Sequence, residues 1–336
     1  YGMFHLLFRI PKITQCTVHQ LPKTKFPLFV ANQSFGSVTM EKVNQTRSVS
    51  EFILLGLSSR PEDQKPLFII FLTMYLVTII GNLLIILAIH SDPQLQTPMY
   101  FFLSFLSFTD ICFTTTKTIS YAGCLTQMYF IYALGNTDSC LLVLMAFDRY
   151  VAICDPFRYV TTMNHCCCIL LVAFSCSFSH VHSLLHTLLL NRLTFCDSNI
   201  IHHFLCDINP LLKLSCSSTF VNEIMIMSEG SVVLVTPFLC ITLSYIQIFI
   251  TVLKIPSAAG KRKAFSTCGS HLTVVTLFYG SIFCVYLQPL STYTVRDHVA
   301  TLAYTVLSSM LNPFIYSLRN KDMERGLRKL MARRKS

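Results

Sequence analysis

The sequence has few charged residues. Only 12% of its 336 residues are Asp, Glu, Lys or Arg, which is about half the share found in soluble domains. Hydrophobic residues make up 53% of the chain, and the mean hydropathy is positive, at +0.56. This scarcity of charge argues against soluble domains and favours an integral membrane protein.

The apolar residues also lack the period-two alternation of membrane strands, which argues against a β-barrel. They form seven continuous blocks, and a helix of about 20 residues crosses a bilayer core of about 30 Å. The blocks are residues 66–90, 98–117, 121–148, 168–190, 219–254, 271–290 and 298–318. Internal repeats, heptads and low-complexity linkers are absent from the sequence. We therefore predict an all-α fold, a seven-transmembrane helix bundle formed as one domain over residues 66–318.

The fourth block is the weakest of the seven, because serines and histidines dilute it. They are Ser175, Ser177, Ser179, His180, His182, Ser183 and His186. Such side chains can form hydrogen bonds to neighbouring helices inside a bundle. For that reason we predict that this block is also a membrane span.

Lysine and arginine are concentrated in two segments, and short basic connections stay on the cytoplasmic side. One segment lies between blocks five and six, and the other is the tail 319–336. With seven spans, the N-terminus is then extracellular and the C-terminus is cytoplasmic. The net charge of +10 reflects this topology and an attraction to anionic membrane lipid. No basic face alternates with aromatic residues, which argues against a nucleic-acid partner.

The segment before the first span shows no cleavable signal pattern, so block one would serve as the signal anchor. Residues 1–39 are predicted to be an N-terminal extension, and residues 40–65 an extracellular segment. Glycosylation sequons begin at Asn32 and Asn44, and the exterior location predicts glycosylation of Asn44.

Four of the fifteen cysteines fall in segments predicted to lie outside the cell. Cys124 begins block three, and Cys196, Cys206 and Cys216 lie between blocks four and five. Four cysteines allow three pairings, and the even spacing of the last three does not choose among them. His203 and Cys206 could instead bind a soft metal, but only if Cys206 is a thiolate. We predict no metal site.

The stretch MAFDRYVAIC, residues 145–154, has an Asp-Arg pair at the edge of a long apolar run. It resembles the cytoplasmic end of the third helix in rhodopsin-like G-protein-coupled receptors, and more narrowly the chain resembles olfactory (odorant) receptors. The other matching motifs are Gly81-Asn82, PMYFFLSFLSFTD (98–110), Ser244-Tyr245, KAFSTCGSHL (263–272) and Asn312 with PFIYSLRN (313–320). The resemblance extends over residues 40 to 331 and implies a short amphipathic helix after the seventh span.

The resemblance implies a plasma-membrane receptor for small volatile organic ligands, with no cofactor and no enzymatic activity. The ligand would activate a heterotrimeric G protein of the stimulatory olfactory type and so raise cyclic AMP. Arg149 would be held by Asp148 at rest and released on activation; the alternative is a static ion pair that only anchors the third helix. The residues implied in coupling are Asp148, Arg149, Tyr150, Tyr245, Asn312, Pro313 and Tyr316.

The implied ligand pocket lies in the outer half of helices three, five, six and seven. Its surfaces are mostly apolar with a few hydroxyls, which suits small volatile organic molecules. The implied pocket residues are Ile131, Tyr132, Gly135, Asn136, Ser228, Val232, Tyr279, Ile282, Phe283, Tyr286, Leu302 and Thr305. The resemblance also pairs Cys124 with Cys206, and Cys196 with Cys216.

Asp110 and Asp138 are mid-membrane carboxylates, and such groups are costly unless they have partners. By resemblance they form with Asn82 a buried polar cluster that could hold Na⁺. The alternative is a purely structural hydrogen-bond network with one protonated carboxyl. The candidate polar partners are Asn82, Asn136, Ser139 and Asn312.

Two features of the family pattern are missing. Only thirteen residues separate Asp110 from Cys124, about half of what the family pattern has, so the connection between the second and third spans has little slack. The chain also has no tryptophan, and Cys176 occupies the place of the usual tryptophan in helix four.

Other functions remain as alternatives to a signalling receptor. Asp110 and Asp138 could line an ion path, but a transporter would show repeat symmetry or broken helices. The shortened second span favours a receptor-like protein that matures poorly or does not signal. An enzyme is least favoured, because no general base accompanies the histidines of block four.

Overall fold

Long helices make up most of the computed structural model of this chain, which describes residues 52–54, 61–113, 120–196, 199–201, 203, 205–286, 301–319 and 321–333. The predicted glycosylation site Asn44 lies outside the described residues. So do the extension 1–39, most of the segment 40–65 and the connection 114–119.

The helices are numbered along the chain. They are α1 Pro61–Ser91, α2 Pro98–Phe113, α3 Tyr121–Cys154, α4 Tyr159–Thr162, α5 His165–Leu190, α6 Ile208–Leu214, α7 Phe220–Leu253, α8 Ala258–Tyr286, α9 Ser308–Arg319 and α10 Lys321–Arg333. Two 3₁₀ turns, Pro93–Leu95 and Pro156–Arg158, follow α1 and α3, and a π-helical turn, Ala303–Leu307, leads into α9. Strands β1 (Ile53–Leu54) and β2 (Ile200–Ile201) pair in parallel.

The predicted blocks coincide with α1, α2, α3, α5, α7, α8 and the π turn with α9. In the described part of the chain, four helical segments are long and apolar enough to cross a membrane: Lys65–Ser91, Tyr121–Cys154, His165–Leu190 and Phe220–Leu253. The apolar part of α8 is shorter, Cys268–Cys284. Helix α2 is described over 16 residues, and residues 114–117 of the predicted block lie outside the described part of the chain.

Side-chain caps explain where two of the long helices begin. The Ser120 hydroxyl accepts a hydrogen bond from the Gly123 amide at 3.1 Å, at the start of α3. Asn164 accepts from the amide of Cys167 at 2.8 Å and begins α5. Each cap satisfies an amide that the first helical turn leaves without a partner.

The serines and histidines of α5 form hydrogen bonds to α3. The Ser183 hydroxyl donates to the Tyr129 carbonyl at 2.5 Å, and the Tyr129 hydroxyl lies 2.8 Å from His180 Nδ1. The buried residues of α5 include Ser175, Ser179, Ser183 and His186. The structure therefore confirms why so polar a block is a helix of the bundle: α3 supplies its hydrogen-bond partners.

Helix α10 is the predicted amphipathic helix after the seventh span, and it docks on the connection after α1. Met323 is completely buried, and a Cβ on Gly326 would lie 2.6 Å from Leu95 Cδ1, so a larger residue at this position would require Leu95 to shift. The Lys329 ammonium donates to Asp92 at 2.9 Å. That hydrogen bond lowers the pKa of the Asp92 carboxyl.

Helix α3 runs the length of the bundle, so its two ends define two regions. We call the end that contains Cys124 and Cys206 the disulfide end. The end that contains Asp148 and Arg149 is called the Asp-Arg end.

Candidate functional site

Two disulfides fix the connection between α5 and α7 at the disulfide end. Cys124 is bonded to Cys206 with 5.5 Å between the Cα atoms, and Cys196 is bonded to Cys216 with 6.0 Å. Since Cys206 is oxidised, it has no thiolate to offer beside His203. Within the residues that the structure describes, no three His, Cys, Asp or Glu side chains are grouped for a metal.

The same connection is also held to α3 by polar contacts. The Cys206 amide donates to Gln127 Oε1 at 3.0 Å. The Tyr132 hydroxyl donates to Asp207 at 3.0 Å, and Asp207 caps α6 through the Ile208 amide at 2.7 Å. The loop is thus a fixed cover over this end of α3.

The predicted pocket residues of α3 divide into two faces. Tyr132 stacks on His186 with 6.2 Å between ring centroids, and Asn136 lies 3.0 Å from His182 Nδ1. These two side chains therefore belong to the contact with α5, one helical face away from Ile131 and Gly135. A Cβ at Gly135 would have no heavy atom within 4 Å, so this face adjoins open space.

An inward hydrogen bond joins α3 to α8 one turn further along. The Ser139 and Tyr279 hydroxyls are 2.6 Å apart, and both residues are buried. Tyr279 and Phe283 form an aromatic cluster with Phe238 of α7, with centroids 5.4 Å apart for Phe238–Tyr279 and 5.2 Å apart for Phe238–Phe283. Ile282, also predicted, is buried on α8. The sequence argument missed Phe238, although it lies seven residues, about two turns, before Tyr245.

Ser228 and Val232 are not brought to this region. Val232 is 62% exposed, and the exposed Ser228 hydroxyl bonds to the Ile224 carbonyl of its own helix. The face of α7 that is buried contains Ile241 and Tyr245. At about 100° per residue, Val232 lies opposite that face, and the place of Ser228 and Val232 in the ligand pocket stays a prediction.

The remaining pocket predictions fall near the seventh span. Thr305 is buried, and its hydroxyl bonds to the Thr301 carbonyl at 2.7 Å. Leu302 is half-buried. Tyr286 ends α8, and its side chain lies outside the described residues.

The mid-membrane carboxylates are buried and paired with different partners from most of those predicted. Asn312 donates to Asp110 Oδ2 at 2.8 Å, as expected, whereas the Thr109 hydroxyl donates to Asp138. Asn82 donates to the Ser309 carbonyl at 3.0 Å. The prediction that Asn136 and Ser139 serve the carboxylates is wrong, because Asn136 bonds to His182 and Ser139 to Tyr279.

At the Asp-Arg end, Asp148 is bound by a tyrosine. The Tyr159 hydroxyl of α4 donates to Asp148 at 2.8 Å, and burial raises the pKa of Tyr159, which keeps it a donor. Among the described residues, no ion pair joins Asp148 to Arg149. A close contact does not form because neighbouring residues on a helix point about 100° apart, and the Arg149 charge acts on Asp148 only from a longer distance.

The other predicted coupling residues surround this end. The Tyr245 hydroxyl lies 2.9 Å from His271 Nδ1, which joins α7 to α8. Tyr316 is buried, Arg149 and Tyr150 are half-buried, and a Cβ on Gly81 would lie 2.9 Å from Pro313 Cγ. Sequence reasoning missed Tyr159 and His271, although both lie in or beside the quoted motifs.

Comparison with known proteins identifies the family. The olfactory receptor family profile matches residues 71–334. The chain belongs to the olfactory receptor family. It is 77% identical to olfactory receptor 1L8 of Homo sapiens over 308 residues, which cover 88% of this receptor and 100% of the relative. Identity is 58% to olfactory receptor 1L6 of Homo sapiens, with 97% and 98% covered, and 54% to olfactory receptor 1f45 of Rattus norvegicus, with 88% and 98% covered.

Membership fixes the class of this receptor. It is a multi-pass membrane protein with the rhodopsin-like seven-helix bundle, a signalling receptor for odorants and not an enzyme.

The alignments also bear on the short second span. The alignment with 1L8 is 308 positions long, and it includes 88% of the 336 residues of this chain, which is about 296 residues. About 12 positions of the relative therefore have no counterpart in this chain. This is close to the shortening inferred between Asp110 and Cys124. The alignment with 1L6, at 97% of the chain, extends into the segment before Met40.

Proposed function

We propose that this receptor binds small, mostly apolar organic molecules in the space beside Gly135 and then activates a stimulatory G protein, raising cyclic AMP. In this proposal the disulfide end faces the cell exterior, with the N-terminus, and the Asp-Arg end faces the cytoplasm. The open space at Gly135 is the observation that carries the proposal.

The surroundings of that space support an apolar ligand with one polar group. Ile131 lies one turn before Gly135 on the same face of α3, and Ser139 lies one turn after it. The Ser139–Tyr279 bond is the polar contact that a ligand hydroxyl or carbonyl would meet. Phe238 and Phe283 add aromatic surface around Tyr279. Such a lining of apolar surface with few polar groups is typical of small-molecule sites.

Helix α8 offers a route from the ligand space to the Asp-Arg end. Tyr279 and His271 are eight residues apart on one helix, a distance of about 12 Å. A ligand that displaces Tyr279 from Ser139 would shift α8 and disturb the contact between His271 and Tyr245. The receptor would then be a two-state bundle, in which the ligand favours the state without these bonds.

The Asp-Arg end also exposes apolar side chains that suit a protein partner. Phe157 is 97% exposed and Val160 is 79% exposed, both in the connection between α3 and α5. Exposed apolar residues at the Asp-Arg end of the bundle are candidates for burial in an interface with a partner protein. We assign this surface to the G protein.

A cyclic-AMP reporter in transfected cells, challenged with a broad odorant panel, tests the proposal. Gly135→Leu fills the proposed space and should abolish responses while surface staining is unchanged. Gly280→Leu is the matched control, because Gly280 is exposed on α8 and also has nothing within 4 Å of its Cβ position. If Gly135→Leu and Gly280→Leu respond equally, the ligand does not occupy the space at Gly135.

A second proposal is a receptor that folds but matures poorly. The thirteen residues between Asp110 and Cys124 and the dozen missing alignment positions favour it. Surface staining of the unmodified chain separates the two, since a chain retained inside the cell would stain only after permeabilisation.

A further inference from the structure

The short ribbon at the disulfide end joins the segment before α1 to the connection between α5 and α7. Ile53 pairs with Ile200 and Leu54 with Ile201, in parallel. The Ile53 amide donates to the Asn199 carbonyl at 2.7 Å. A two-residue ladder is weak by itself, so other contacts must hold it.

Phe52 supplies those contacts. It is 1% exposed, and its ring packs edge-on to Phe195 at 5.3 Å and lies 5.9 Å from Tyr121 of α3. The hydrophobic cluster around it contains Cys124 and Cys206 of the disulfide. A buried aromatic side chain of this kind is a large apolar anchor.

The anchored strand holds a part of the loop that the disulfides do not reach directly. The bonds fix Cys196 and Cys206, and β2 lies between them at 200–201. The stretch that follows β2 leads to Cys206 and Asp207, which bond to Gln127 and Tyr132 of α3. Phe52 therefore acts on the loop at a point that continues into the α3 contacts above Gly135.

We propose that residues 52–54 form a strap that positions the α5–α7 connection over the ligand space, with Phe52 as its positioning residue. The proposal rests on the ligand site proposed above. The strap stays closed when the ligand binds, and its role is to hold Cys206 and Asp207 against the end of α3 from which Ile131 and Gly135 follow.

Cross-linking tests the pairing without any ligand. Ile53 and Ile200 are partners, and both are exposed, at 49% and 36%. The double variant Ile53→Cys with Ile200→Cys should form a disulfide that mass spectrometry finds in non-reduced peptides. Leu54→Cys with Ile200→Cys is the register control, because neighbouring strand residues face opposite sides. Equal bonding in both double variants would overturn the proposed register and the strap with it.

Cysteine labelling tests whether Phe52 positions β2. Ile201 is 1% exposed, so Ile201→Cys should react slowly with a membrane-impermeant maleimide on intact cells. Adding Phe52→Ala should raise the labelling rate about 10-fold, whereas Phe52→Leu, which keeps an apolar anchor, should restore slow labelling. Ile200→Cys, already exposed, should label at the same rate in all backgrounds. Unchanged labelling of Ile201→Cys in the Phe52→Ala background would overturn the positioning role.

The functional arm uses aliphatic alcohols, ketones and esters from the odorant panel. For those that activate the unmodified chain, Phe52→Ala should raise the half-maximal concentration about 10-fold at matched surface level, with the maximal response preserved. Ile53→Ala should leave potency unchanged, and the cross-linked Ile53–Ile200 variant should respond normally. Loss of response on cross-linking would show that the strap must open, against the proposal. If no odorant activates the unmodified chain, the proposed function is contradicted. The labelling and cross-linking experiments would still show whether residues 52–54 hold β2 in place.

Discussion

The two ends of α3 are held by different kinds of contact. At the disulfide end, two covalent bonds, a buried aromatic cluster and amide hydrogen bonds fix the loop to the helix. At the Asp-Arg end, single hydrogen bonds such as Tyr159–Asp148 and Tyr245–His271 join the elements. The first set persists as the chain moves, and the second can break and re-form.

This difference suits a receptor. A ligand site must keep its geometry, so contacts that cannot exchange are an advantage there. A coupling surface must have two arrangements of similar free energy, and a few reversible polar contacts permit that. Breaking the contacts at the disulfide end should therefore reduce folding and surface expression, whereas breaking those at the Asp-Arg end should change signalling.

Removal of the bond between loop and α3 should have the largest effect. Cys206→Ala removes the Cys124 disulfide, and loss of a native disulfide typically costs about 2–5 kcal/mol. We expect surface staining to fall to near background. Cys284→Ala, at an exposed cysteine outside these two disulfides, should stain normally. A Cys206→Ala receptor that matures normally would show that the two ends differ less than proposed.

Arg149→Ala should act only at the other end. Cyclic-AMP responses should fall at least 10-fold while surface staining and odorant binding are kept, because Arg149 is remote from the ligand space. Arg158→Ala is the control, since Arg158 is 73% exposed and in a surface ion pair that contributes little. Normal signalling by Arg149→Ala would remove Arg149 from the coupling mechanism.

Lengthening the second span tests whether the disulfide end is strained by its short connection. Insertion of about thirteen residues after Lys117, with the sequence of the usual first outer loop of the family, should raise surface staining several-fold. Residues 98–117 have only the minimum span length of about 20, and residues 118–123 make the whole connection to Cys124. A Gly-Ser insert of the same length is the control: it lengthens the connection to Cys124 but does not extend the helix. A gain in staining with both inserts would point to the connection, and a gain with the family insert alone would point to the helix. Equal staining with and without the family insert would mean that the shortening is tolerated.

Tyr159→Phe should have the smallest effect, on the resting state alone. It deletes the donor to buried Asp148, and an acceptor left without a partner costs about 1–3 kcal/mol. Ligand-independent cyclic AMP should rise about 2- to 5-fold at equal surface level. Tyr75→Phe, on half-buried Tyr75 of α1, is the control and should leave the basal level unchanged. If Tyr159→Phe also leaves the basal level unchanged, Tyr159 does not hold Asp148 in the resting state, and that role would fall to Arg149.

Sequence patterns predicted the helices well and their partners less well. Apolar block length predicts a span whatever its neighbours are, so α1, α3, α5 and α7 follow from sequence. Contacts depend on helix rotation and on which helix lies opposite, and a linear pattern does not contain that information. Asn136, for example, was assigned to the carboxylates when it bonds to His182.

The hydrogen-bond donor to Asp148 was missed for a related reason. Adjacency in sequence is not adjacency on a helix surface, and the donor that reaches Asp148 comes from eleven residues later, in α4. The ribbon of β1 and β2 was also beyond the sequence argument, because its two strands are only two residues long. No periodicity is detectable over such a length.

The polar seam between α3 and α5 has a consequence for how the protein is made. Segments enter the membrane in order during synthesis, and polar side chains at the centre of a helix disfavour entry into lipid. His180, His182 and Ser183 find their partners Tyr129 and Asn136 on a helix that precedes α5 in the chain. Contact with α3 therefore stabilises α5 in lipid, and we expect a change that delays the insertion of α3 to delay that of α5 as well.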